Sequence, residues 1–162
     1  MRRTIRATTA ALALLAVVAT PALAAKPLVA TFDESGSFPI PCGTVTLVEE
    51  YRQSVVVTTW LDGNGEVTRG HARLRFDGTI TAPGSTLQLS DVGSFTSFID
   101  FGPDGPTERQ IGLVYKFSAP GLGVVAHDVG VITFLPDGSV ETTGPHDVWD
   151  NGLESLICPL FE

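Results

Sequence analysis

From His71 to Ile80 the chain alternates. Ala72, Leu74, Phe76, Gly78 and Ile80 fall between His71, Arg73, Arg75, Asp77 and Thr79. A period of two puts the apolar and small set on one face of a β-strand and the polar set on the other. Ile111, Leu113, Tyr115 and Phe117 repeat the pattern after the Pro103-Asp104-Gly105-Pro106 turn. Near 85–101, Leu87, Leu89, Phe95, Ile99 and Phe101 share a face, with Asp91-Val92-Gly93 interrupting it. From Thr44 to Leu61 the chain is rich in Val, Thr, Tyr and Trp. It is longer than a usual strand and slips phase, which predicts a bulge or bend at Glu49-Glu50 or Gln53-Ser54. A short strand at 28–33 precedes a polar loop, and Pro39 and Pro41 exclude a central strand there. Strands at 123–135 and 139–144 follow, and the tail from Asp147 to Leu160 holds one helical turn.

Three short motifs recur in the same order. Ala82-Pro83-Gly84, Asp91-Val92-Gly93 and Pro103-Asp104-Gly105 return as Ala119-Pro120-Gly121, Asp128-Val129-Gly130 and Pro136-Asp137-Gly138, offset by 37, 37 and 33 positions. A strand, a Pro-Gly turn, a strand and an Asp-Gly turn make a repeated β-meander. Asp62-Gly63-Asn64-Gly65 is a further hairpin signal. The expected fold is all-β: an antiparallel up-and-down meander of seven or eight strands closing into a barrel, which removes exposed edges. Such a barrel is filled by side chains or holds one small ligand.

Arg2, Arg3 and Arg6, an apolar run from Ala10 to Val18, Pro21 and Ala22-Leu23-Ala24 read as a secretory signal peptide over 1–24, leaving 25–162 as a single domain. The run is too short to span a bilayer. Ala25 and Lys26 stand where a lipoprotein would carry Cys, so a freely secreted, extracellular protein is expected. Removal of 1–24 leaves seven basic residues against 18 acidic ones, a formal charge of −11. That balance argues against nucleic acid and anionic membranes as partners. Cys42 and Cys158 are the only cysteines, and in an exported chain they read as one disulfide tying the C-terminal segment back to the start of the barrel.

The run Pro120-Gly121-Leu122-Gly123-Val124-Val125-Ala126-His127-Asp128-Val129-Gly130, then Pro136-Asp137-Gly138, Gly144-Pro145-His146-Asp147 and a lone Cys158, resembles a group of uncharacterised small secreted proteins of high-GC Gram-positive bacteria over about residues 60–160. The resemblance implies export and a β fold and lends no catalytic residue. The inferred topology is similar to lipocalin-like and allene-oxide-cyclase-like barrels, although the lipocalin Gly-x-Trp signature is missing at Trp60. That likeness is one of architecture and carries no function.

His127-Asp128 and His146-Asp147 are the most suggestive chemistry. Hairpin pairing about residues 137–138 sets position 128 near position 147, so the two pairs lie side by side. They could contact a ligand, together with Tyr115, or the carboxylates could serve turns beside Gly130 and Gly144. Ser90 replaces His127 in the other repeat, which makes the Asp-x-Gly architectural and the His the functional candidate. Arg73 and Arg75 with His71 could bind a carboxylate from inside a barrel, or be solvated charge outside it. Neither an EF-hand, which would need Gly at position 67 and Glu at 73, nor a Gly-x-Ser-x-Gly elbow is present. The expectation is a non-enzymatic barrel binding a small, mostly apolar ligand, with no metal and no cofactor. The alternatives are an enzyme of the cyclase or isomerase kind, using Tyr51, Tyr115, Glu50 or Asp128 inside the cavity, and an interaction module with a solid core.

Overall fold

A computed structural model describes residues 26–162. The proposed signal peptide lies outside the described residues. Seven strands follow one another: β1 (Leu28–Cys42), β2 (Val45–Leu61), β3 (Val67–Thr81), β4 (Gln88–Gly102), β5 (Gly105–Ala119), β6 (Gly123–Phe134) and β7 (Val140–Thr143). They form one antiparallel sheet in the order β1-β2-β3-β4-β5-β6-β7. Two short helices, α1 (Asp147–Asn151) and α2 (Leu153–Ile157), and a 3-10 turn at Cys158–Leu160 complete the chain. The consecutive meander is as the repeats imply, but the sheet is open, and among the described residues no ladder joins β1 to the far edge.

The far edge has local reasons to stay open. β7 covers only Val131–Phe134 of β6. Beyond it, the Val129 amide donates to the Pro145 carbonyl (2.9 Å) and the His127 amide donates to Asp147 Oδ2 (2.9 Å). Two of the backbone donors that a closing β1 would need on β6, those of His127 and Val129, are therefore already taken.

Directly opposed residues share a face of an antiparallel sheet. Ile40 pairs with Leu47, Glu49 with Ile80, Ile80 with Leu89, and Phe117 with both Asp91 and Ala126. These positions make the core face. At its turn-proximal end Ile40, Leu47, Ile80, Leu89, Phe117 and Ala126 are buried, and α2 lays Ile157 across them. Each fully buried Leu, Ile or Phe here is worth about 1.5–3 kcal/mol. The Cys42–Cys158 disulfide, with Cα atoms 5.3 Å apart, fastens this lid to the end of β1.

Three local expectations change. The strand at 28–33 runs on through Pro39 and Pro41 to Cys42, because β1 is an edge strand and a proline there loses no ladder bond that a second neighbour would need. β2 is unbroken at Glu49-Glu50 and Gln53-Ser54, and its register shift lies at Trp60/Leu61. The apparent slip of phase arises because Glu49, a carboxylate, occupies a core-face position between Leu47 and Tyr51. Asp91 and Gly93 likewise continue the core face of Leu89 and Phe95 rather than interrupting it. The irregularity belongs to β5, where one extra residue, Val114, stands between the two Asp-Val-Gly copies. A Cβ on Gly93 would collide with the Phe76 ring and the Val114 carbonyl, so the close approach of β4 to this bulge requires glycine.

Candidate functional site

Above the apolar floor the core face turns polar. Glu49 and Asp91 are 3% and 2% exposed, and their carboxyls share a hydrogen bond across β3. The space between them exists because β3 presents Gly78 there, whose missing side chain would meet Glu49 Oε1. Burial pushes both carboxyls upward. For Asp91 the neighbouring Glu49 charge and the hydrogen bond add to burial and carry it to about 9, so at neutral pH the pair retains a proton between its two carboxyls. Asp91 Oδ1 has no hydrogen-bond partner among the described residues. Sequence reasoning missed this pair. It placed Glu50 inside, but Glu50 is exposed on the opposite face, and the signal available was the acidic residue that broke the alternation of β2.

Beyond the acid pair the same face carries aromatic residues over which no second layer packs among the described residues. Tyr51, Phe76 and Phe95 are half-buried, and Phe32, Phe38 and Tyr115 are exposed. Phe38 tilts against Tyr51 (6.0 Å), and Tyr115 lies between Phe76 (5.7 Å) and Phe117 (6.1 Å). Glu34 on β1 accepts from Tyr51 Oη (3.1 Å) and Gln53 Nε2 (2.8 Å), fixing the edge strand to its neighbour. Desolvation, followed by the Asp91, Asp128 and Glu49 carboxyls, raises the Tyr115 phenol above its ordinary value. With 38% of the residue exposed, solvent screens part of that effect.

The two His-Asp pairs do meet, one residue out of the expected register: Asp128 forms a bridge with His146. His127 Nδ1 sits 3.0 Å from Asp147 Oδ2 at the surface. Asp128, fully buried, accepts from the Val148 amide at the start of α1 (2.8 Å). Burial raises its carboxyl, and the Val148 amide and His146 oppose the rise. His146 is also fully buried, with Nε2 3.3 Å from the Thr143 carbonyl and Nδ1 without a partner among the described residues. The four residues form a latch that folds α1 onto β6, with Trp149 packed edge-on against Phe134 (5.7 Å). Tyr115 pairs with Asp128 across the sheet but turns toward the aromatic row.

Asp62 Oδ1 accepts from the Asn64 and Glu66 amides (2.8 and 2.9 Å), which makes 62–66 a hairpin turn. Among the described residues no three His, Cys, Asp or Glu side chains are grouped to hold a metal ion. No helix among them is long and apolar enough to cross a membrane. No known protein family, curated protein or solved structure matches the chain.

Proposed function

We propose that this is an exported, disulfide-fastened binding protein whose core face takes a small, mostly apolar ligand with one hydrogen-bonding group. The observation that carries this reading is the row Phe32, Phe38, Tyr51, Phe76, Phe95 and Tyr115, left uncovered beside a buried carboxyl pair. Apolar walls with a few placed polar groups are the ordinary make-up of small-molecule sites. The ligand would lie on the aromatic row and offer its polar group to Asp91 Oδ1. In this reading it lies between β1 and β6, and the meander curls around it without a ladder joining those two strands. The disulfide and the lack of a membrane-spanning helix among the described residues are compatible with an extracellular site of action.

The test is native mass spectrometry of the purified protein, followed by titration with a fluorescent apolar probe. A retained adduct, or saturable probe binding weakened by Phe76→Ala and Tyr115→Ala, is expected. A bare mass with no saturable probe response overturns the reading and favours an interaction module.

The proton-sharing pair supports a second reading, an acid–base enzyme of the cyclase or isomerase kind on the same face. There Asp91→Asn would abolish turnover while leaving ligand binding intact.

A further inference from the structure

The chain is acidic overall, yet its cations are gathered. Of the seven Lys and Arg among the described residues, Arg52, Arg69, Arg73, Arg75, Arg109 and Lys116 all stand on the sheet face opposite the core. Arg52 pairs across the ladder with Asp77, and Arg69 with Asp100, but no guanidinium lies within ion-pairing distance of a carboxylate among the described residues.

At the end of this face remote from the disulfide, a groove of about 600 Å³ runs between Trp60, Arg69, His71, Phe98, Asp100 and Arg109. Its size falls within the range of small-molecule sites. Arg69 Cζ lies 4.2 Å over the Trp60 ring, and Arg109 Cζ lies 5.7 Å from the Phe98 centroid. His71 stacks on Phe98 at 5.0 Å and 30°. Cation–π contact restricts each guanidinium while leaving its N–H edge free.

From sheet spacings the backbones of Arg69 and Arg109, two strands and two residues apart, are about 12 Å from one another, so both long side chains can reach one ligand group between them. A carboxylate carries one negative charge on two oxygens, and a single fork engages both of them. A terminal phosphate has three strong acceptor oxygens and can engage two. The adjoining rings of Trp60, His71 and Phe98 suit a flat ring attached to it, met by edge or offset contact.

We infer that this groove binds a small organic phosphate carrying a flat aromatic ring, with Arg69 and Arg109 holding the phosphate and Trp60, His71 and Phe98 the ring. This site is separate from the one proposed on the core face, and either can fail without the other.

The experiment is titration of the full chain with adenosine 5′-monophosphate, adenosine and inorganic phosphate, followed by calorimetry and by the tryptophan signal. The nucleotide should bind roughly tenfold or more tighter than either fragment and weaken as salt rises. Arg69→Gln and Arg109→Gln should each lose roughly tenfold in affinity at an unchanged melting temperature. Arg69→Lys, which keeps the charge and loses the fork, should lose a comparable amount. Nucleotide binding no tighter than that of inorganic phosphate, no saturation, or full affinity in both Gln variants overturns the inference.

Discussion

The Glu49–Asp91 pair makes folding sensitive to alkali, in the opposite sense to a surface ion pair. An unfolded Asp releases its proton near 3.8, and folded Asp91 keeps it to about 9. Between those values the native state binds more protons than the unfolded state, so stability is highest at the acid end and falls as pH rises. The slope is about 1.4 kcal/mol per pH unit for one retained proton. From pH 5 to pH 8 the loss is therefore on the order of 4 kcal/mol, a large share of the 5–15 kcal/mol that holds a domain together. Asp91→Asn keeps the shape and a donor toward Glu49 but removes the titration of Asp91. Urea unfolding followed by tryptophan fluorescence at pH 5, 6.5 and 8 gives the free energies. The variant should lose most of the slope and exceed the parent protein in stability at pH 8. Glu49 and Asp128, both raised by burial, add to the slope in the same direction and remain in the variant. A parent protein equally stable at pH 5 and pH 8, or an Asn variant with the parental slope, would refute the reasoning.

Three further outcomes follow from the packing. Cys158→Ser should lower stability by about 4–5 kcal/mol, the chain-entropy value for a loop of 116 positions, read as a fall in melting temperature under oxidising conditions. Gly93→Ala should cost about 1–3 kcal/mol, since the new methyl must displace the Phe76 ring or the Val114 carbonyl, and a lowered urea midpoint would report it. Asp128→Ala should cost about 1–3 kcal/mol by leaving the Val148 amide without its acceptor. The freed α1 should show in the Trp149 emission and in faster hydrogen exchange at Val148.

Strand identity was legible because alternation is local. The face of Ala72, Leu74, Phe76, Gly78 and Ile80 can be read without knowing any partner. The repeats announced a meander, and the cysteines their own pairing. Closure was not legible. It depends on what occupies the outer edge of β6, and that edge is taken by Pro145 and Asp147, residues whose hydrogen bonds no periodicity reports. The acid pair was hidden for a related reason. Glu49 and Asp91 are 42 positions apart and meet across Gly78, so each looked like a defect in its own strand. The His-Asp pairs were found by hairpin arithmetic, one residue out: Asp128 stands opposite His146 and is buried, while Asp147 bonds the His127 amide.

The position of the disulfide also sets how the molecule would bear tension. A pull applied at Lys26 and Glu162 travels along the chain only as far as Cys42 and Cys158, and the sulfur bridge then carries it. Everything between, from β2 to α2, forms a loop outside the line of force. Extension would stop at about 70 Å, where an uncrosslinked chain would pay out about 480 Å. Only β1 and the 3-10 turn could be pulled away, uncovering Tyr51, Gln53 and the outer edge of β2 while the rest of the sheet stayed folded. Reduction of one bond would thus change the protein from a short tether into a long one.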